Sequence, residues 1–238
     1  MRFLVTRPRP DCKRTADKLR AAGHVADEAP LLRFQAVPPE RFDLSGVSSL
    51  AFSSRRAVAV LAGHPQFPDL KALPVFTVGE ATAAACRQAG FQAVHTAEGD
   101  VGSLGRLILA SQDQLKPGAV LHPAARERAG DLEGLLARAN VTCRTEVVYG
   151  MDPASDLPAG VAEALQDGAY DGVLIYSRRT AEVLVQLLTA SGLDHILPGL
   201  HVYAISKQAA APLSDVARVH VADEPCEKSL LDLVLAEC

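Results

Sequence analysis

The chain has 238 residues and a formal net charge of −4, with 48% hydrophobic and 22% charged residues, the mix of a globular protein rather than a disordered one. It carries no basic stripe and no run of like charges, which argues against nucleic-acid binding, and no apolar run approaches the ~20 residues of a membrane span. An acidic balance still permits an anionic small molecule, because a cleft can be locally basic.

The opening RFLVT at residues 2–6 predicts a first strand and not a signal peptide, since Arg7 and Pro8 end its short apolar run. Further strands are predicted at HVADEA (24–29), SLAFSS (49–54), PVFTVG (74–79), AVHTAE (93–98) and AVLHPA (119–124). The series continues with CRTEVVYG (143–150), DGVLIYS (171–177), HVYAIS (201–206) and ARVHVA (217–222). Helix-period segments separate nearly all of them, which predicts parallel sheets with crossover helices. Their apolar runs do not alternate, as suits strands buried on both faces. Trp is absent, so Leu, Val and Ala must fill the cores. Cys12, Cys86, Cys143, Cys226 and Cys238 follow no pattern, which fits free thiols in a reducing compartment. The histidines stand singly, so no metal is expected.

The chain repeats itself. FSSRRAVAVL from Phe52 resembles YSRRTAEVLV from Tyr176, with Ser54, Arg55 and Arg56 matching Ser177, Arg178 and Arg179. VFTVGEATAAA from Val75 resembles VYAISKQAAAP from Val202, and the segments from Ala93 and Arg218 also correspond. A shorter unit from Arg2 is matched by one from Ala119. The order is therefore short, long, short, long. Pro-rich stretches from Leu31 and from Val147 mark two joins in the chain, as an insertion requires and a tandem pair does not. This predicts a discontinuous domain over 1–32 plus 156–238, an inserted domain over 39–148, and linkers at 33–38 and 149–155. Each domain is expected to be a five-stranded, doubly wound parallel sheet of the flavodoxin type. The linkers are expected to permit hinge motion.

In such sheets ligands bind beyond the carboxyl ends of the strands, near helix N-termini. That rule selects Thr6 and Arg7, Ser53 and Ser54, Gly79 to Thr82, Pro123 to Arg126, Ser177 with Arg178, and Ser206 to Gln208. Ser54 and Ser177 are either ligand contacts or plain helix caps. Thr82 has the same two readings, and Gly79 allows a tight turn or a close backbone approach. Tyr149 either packs between linker strands or aims its hydroxyl into the cleft. No GxGxxG after a strand, P-loop, HExxH or GxSxG is present. The chemistry is expected to use no cofactor.

VTRP at Val5, FSSRRAV at Phe52, VFTVGEATA at Val75, VVY at Val147 and LIYSRRTA at Leu174 together resemble the uroporphyrinogen-III synthase family, in order and over nearly the whole chain. The stretch ALQDGAYDGVLIYSRRTAEVL is most similar to its alphaproteobacterial members. The resemblance implies two domains joined by a two-stranded linker. It implies a cyclising enzyme that takes hydroxymethylbilane, removes water, inverts the last pyrrole ring through a spiro intermediate and closes the macrocycle, without cofactor or metal. It puts the family's linker Tyr on Tyr149, its turn Thr on Thr82, and its paired Ser on Ser54 and Ser177. Arg7, Ser53, Gly79, Arg126 and Arg178 complete the expected substrate contacts. The sequence departs from the family at AISKQAA from Ala204, where Ser206 and Ala209 replace Gly and Thr, and at Arg55 and Arg178, which replace Pro. Lys207 and Gln208 are expected to serve instead as carboxylate partners. A cytoplasmic monomer is expected, taking its substrate by hand-over from the bilane-forming enzyme. The alternative is a non-catalytic paralogue that binds a tetrapyrrole or another polyanion.

Overall fold

The computed structural model describes residues 1–128 and 130–236, and the chain divides into two compact units. One comprises Met1–Phe34 with Asp152–Cys238, the other Gln35–Met151. The first unit opens with β1 (Arg2–Val5), α1 (Asp11–Ala21) and β2 (Val25–Glu28), and β3 (Leu32–Ala36) leads out of it. The second unit runs β4 (Val47–Phe52), α2 (Arg55–Ala62), α3 (Phe67–Leu70), β5 (Val75–Val78), α4 (Glu80–Ala89) and β6 (Val94–Ala97). It continues with α5 (Val101–Ala110), β7 (Ala119–Ala125), α6 (Leu132–Ala137) and β8 (Cys143–Pro153). The first unit resumes with α7 (Val161–Gln166), β9 (Gly172–Ile175), α8 (Arg178–Ala190), β10 (His201–Ala204), α9 (Lys207–Ala210), β11 (Arg218–Val221) and α10 (Glu227–Ala236).

The first unit's sheet has five strands in the order β11-β10-β9-β1-β2, all paired in parallel. This is the doubly wound order of the flavodoxin type. The second unit's sheet has six strands, β3-β8-β7-β4-β5-β6, where the repeat predicts five. The extra strand is β3. At 11 residues β8 is long, and β3 covers its outer edge, where the Val37 N–H donates to the Val148 carbonyl at 2.8 Å. An uncovered edge of that length would be a template for unwanted pairing. Apart from β3 the two sheets have one spatial order, β2-β1-β9-β10-β11 and β8-β7-β4-β5-β6. The chain enters them at different strands, so the second unit is a circular permutant of the first. That is the physical content of the short–long–short–long repeat.

Burial follows position in the sheet. The central strands β4 and β9 are buried over four consecutive residues, whereas the edge strands β2, β6 and β11 are largely open. In the second unit α2 and α4 cover one face through Ala57, Val58, Leu61 and Cys86 against Leu50, Phe52 and Val148. The helices α5 and α6 cover the other through Leu104, Ile108, Leu132 and Leu136 against Ala51 and Val120. In the first unit α1 and α10 close on Phe3, Val5, Leu174 and Tyr203. Gly172 is required there, because a Cβ would come within 2.4 Å of the Tyr203 ring.

Cys12, Cys86 and Cys143 are buried and Cys226 is exposed, while Cys238 lies outside the described residues. Burial pushes the Cys12 thiol up to about 11, and those of Cys86 and Cys143 to about 12. Among the described residues no helix is long and apolar enough to cross a membrane, and no three His, Cys, Asp or Glu side chains gather as a metal site would need.

Candidate functional site

In an open α/β sheet the ligand crevice lies at the carboxyl ends of the strands, where the strand order reverses. In the second unit that point falls between β4 and β7, and in the first between β1 and β9. The two points are built differently.

In the second unit it is open. A pocket of about 300 Å³ is lined by Ser53 and Ser54 beyond β4, His122 and Ala125 on β7, and Tyr149 on β8, with Val78, Asp100, Val101, Glu127, Arg128 and Gly130 around them. Ser53 shares a sheet face with Ala51, and Ser54 shares the opposite face with Phe52. Two neighbouring hydroxyls therefore flank the end of one strand. Ser54 caps α2, its Oγ accepting from the Arg56 N–H at 3.1 Å. The same Oγ accepts from the Tyr149 hydroxyl at 2.9 Å.

A bulge aims Tyr149. Ala124 pairs with Val147 and Ala125 with Tyr149, so Val148 is an extra residue on β8. Val148 and Tyr149 consequently both reach the face covered by α2 and α4. The Arg126 N–H donates to the Tyr149 carbonyl at 2.8 Å and pins the bulge. Tyr149 is 6% exposed: its ring packs in the cluster under α2 and α4, and it lines the pocket where its hydroxyl meets Ser54.

Ser53 meets His122, which the sequence presents only as a lone histidine. The His122 Nε2 lies 3.4 Å from Ser53 Oγ, and its Nδ1 is buried without a partner among the described residues. The ring is 3% exposed. Burial, and then the nearby Arg128 charge, push the imidazole down to about 4, so it is neutral at pH 7. The available signal was a polar residue inside the apolar strand AVLHPA, two residues before its end.

Gly79 and Thr82 stand at the end of β5. Gly79 has φ +71, a region that favours glycine, and it starts α4 with a tight turn. Thr82 is buried in the first turn, its N–H donating to the Gly79 carbonyl at 3.2 Å. The matching turn in the first unit is made another way. Ser206 is extended at φ −162 and caps α9 with its side chain, accepting from the Ala209 N–H at 3.2 Å. No glycine is needed, but α9 is only 4 residues long against 10 for α4. Lys207 and Gln208 are exposed on its first turn.

At the switch point of the first unit the side chains pair with one another. Thr6 is buried and donates to the Leu174 carbonyl at 2.6 Å. Arg7 lies 4.3 Å over the Tyr176 ring and donates to Glu227 at 2.8 Å and Asp11 at 3.2 Å. Thr15 and Lys18 also donate to Glu227. Burial alone would raise the Glu227 carboxyl, but hydrogen bonds from Lys18 and Thr15 outweigh it and hold it low. Ser177 caps α8, accepting from the Thr180 N–H at 3.2 Å, and Arg178 pairs with Glu182 at 2.9 Å. Within each unit, then, Ser53, Ser54 and Tyr149 come together, Arg7 is occupied by its own unit's carboxylates, and Arg178 lies on the helix surface.

A family model described as uroporphyrinogen-III synthase HemD matches residues 13–232. No curated protein sequence matches the chain. Among solved structures, uroporphyrinogen-III synthetase from Helicobacter pylori 26695 is similar at 19% identity, with a TM-score of 0.69 and full coverage of both chains, 100% and 100%. A mutant uroporphyrinogen III synthase from the extremely thermophilic bacterium Thermus thermophilus is similar at 19% identity and a TM-score of 0.60, covering 100% of this chain and 97% of that one. At such identities the structural likeness speaks to the fold.

Proposed function

The chain belongs to the uroporphyrinogen-III synthase family, and on that premise we propose that its reacting centre lies at the Tyr149 pocket of the second unit. The enzyme is a cyclising lyase that converts hydroxymethylbilane to uroporphyrinogen III in tetrapyrrole biosynthesis. The bilane's terminal hydroxyl departs with a proton as water and leaves an electrophilic azafulvene. The last ring then attacks through its substituted carbon to give a spiro centre; the original methylene bond at that carbon breaks to a second azafulvene, and the ring's free α-carbon attacks this and loses a proton, so the ring is inverted as the macrocycle closes. The bilane ionises readily, so the protein's task is to hold the chain in the inverting geometry and keep charge balanced around it.

The observation that carries the assignment is the Tyr149–Ser54 hydrogen bond, 2.9 Å, inside an open pocket at the sheet's switch point. The Tyr149 phenol can exchange Ser54 for the departing hydroxyl as acceptor. In this reading Ser53, Ser54, Gly79, Thr82 and Arg126 bind substrate from the second unit. Arg7, Ser177, Arg178, Lys207 and Gln208 contribute from the first, with Arg7 exchanging Glu227 for a substrate carboxylate. The test supplies hydroxymethylbilane and resolves the product isomers. Isomer III formed faster than the spontaneous isomer I is the expected result. Isomer I alone, at the uncatalysed rate, overturns the function; ligand-induced stabilisation with no isomer III would make the chain a tetrapyrrole-binding paralogue.

We also propose that the two units act as domains hinged at 33–38 and 149–155, in a cytoplasmic monomer that takes its bilane from the enzyme that makes it. Unpatterned cysteines, three of the four described ones buried, support a reducing compartment.

A further inference from the structure

We infer that His122 is a positioning residue that fixes the Ser53 hydroxyl as a hydrogen-bond donor, so that Ser53 and Ser54 together present two O–H groups to one substrate carboxylate. The inference rests on the proposed function and deepens it.

The His122 ring is buried with one bare nitrogen. Its Nε2 lies 3.4 Å from Ser53 Oγ, and its Nδ1 has no partner among the described residues. A neutral imidazole has one N–H and one lone pair, and burial holds this ring neutral. Two arrangements are available. With the proton on Nδ1, a buried N–H goes unsatisfied and Ser53 must donate to Nε2, away from the pocket. With the proton on Nε2, the ring donates to Ser53 and only a lone pair is left bare. Orphaned buried N–H groups are rarer than under-satisfied acceptors, so the second arrangement is favoured. Ser53 then accepts from His122 and has its own proton for the pocket.

Ser54 reaches the same state from the opposite face. Its oxygen accepts from the Arg56 N–H and the Tyr149 hydroxyl, at 3.1 and 2.9 Å, so its proton is also available. Adjacent residues just beyond β4, both lining the pocket, thus become two donors at one strand end. A carboxylate has two acceptor oxygens to match them. The lining holds two acids, Asp100 and Glu127; Asp100 is engaged as the cap of α5, accepting from the Ser103 N–H at 2.9 Å. Arg128 adds a cation. The occupant assigned is therefore a carboxylate side arm of the bilane, held beside Tyr149.

The experiment uses the full chain. Long-range ¹⁵N–¹H spectra of the imidazoles, assigned with His122→Gln, should show His122 protonated on Nε2 at pH 7; protonation on Nδ1 overturns the inference. Steady-state kinetics with hydroxymethylbilane should show the KM of His122→Phe and of Ser53→Ala raised about tenfold, with kcat little changed, as for loss of a hydrogen bond to a charged group. The double variant should be no worse than either single one. His122→Gln, whose amide N–H reaches the place of Nε2, should restore the wild-type KM. Additive losses, or equal losses in the Gln and Phe variants, also overturn the inference. Should His122→Phe not fold, Ser53→Ala, His122→Gln and the spectra decide it. A wild-type protein that makes no isomer III would sink the proposed function instead, and the tautomer would still be read from the spectra.

Discussion

Lowering the pH from 7 to 5 should cost the second unit about 2 kcal/mol through His122 alone. In the folded chain the ring takes its proton only near 4, against an ordinary value of 6.5. Between those values the unfolded chain binds more protons than the folded one, so stability is present above 6.5 and drains away as the pH falls toward 4. Each pH unit inside that window is worth about 1.4 kcal/mol, which gives about 2 kcal/mol by pH 5. The ring is only 3% exposed, so solvent screening does little to reduce the effect. Carboxylates titrate nearby in pH, and a comparison with His122→Gln subtracts them. Urea unfolding followed by circular dichroism, since the chain has no Trp, would measure both proteins at both pH values. Wild type should lose about 2 kcal/mol more than the variant on going to pH 5. Parallel losses would refute the reasoning, because they would mean that the imidazole is solvated or paired in the folded state.

Tyr149→Phe keeps the ring in its cluster and removes the bond to Ser54, so the fold should survive while kcat falls about a hundredfold; an unchanged rate returns Tyr149 to packing alone. Thr82→Ala should lower kcat/KM less, by about threefold, as the loss of a single hydrogen bond would; a larger loss than for Tyr149→Phe would reverse the ranking. Ser54→Ala and Ser177→Ala each remove a helix cap and should each cost about 1 kcal/mol in denaturant titrations, but Ser54→Ala should slow turnover more. Equal turnover in the two variants would deny Ser54 its part in the pocket. Gly79→Ala forces an L side chain to φ +71 and should destabilise by more than about 1 kcal/mol, read as a lower urea midpoint at unchanged slope; no shift would show that the turn relaxes.

The ten runs named from the sequence all became strands, and the interior ones such as β4 and β9 carry the continuous apolar signature of strands buried on both faces. β3 shows no such run. It is buried only at Leu32 and open from Arg33 to Ala36, so periodicity had nothing to detect. The repeat was legible because matched helix starts, Ser54 with Ser177, do the same capping work in both units. The conversion of the Ser206 turn from a glycine turn to a side-chain cap was visible as a substitution, although its backbone geometry was not. Arg7 shows what local reading lacks. Its partner Glu227 arrives from α10 at the other end of the chain, so no pattern around Arg7 could reveal the pairing. His122 was hidden for the same reason: Ser53 lies on another strand, 69 residues away.

The split of the first unit around the second also has a consequence in time. β1 is an interior strand, flanked by β2 and by β9, and β9 begins only at Gly172. During synthesis one side of β1 therefore stays bare while the whole second unit is made, a wait on the order of ten seconds or more at cellular translation rates. The second unit is contiguous and can fold during that interval. A strand of 4 residues offers a short bare edge, which limits how long a mispaired ladder can grow before the true neighbour emerges from the ribosome.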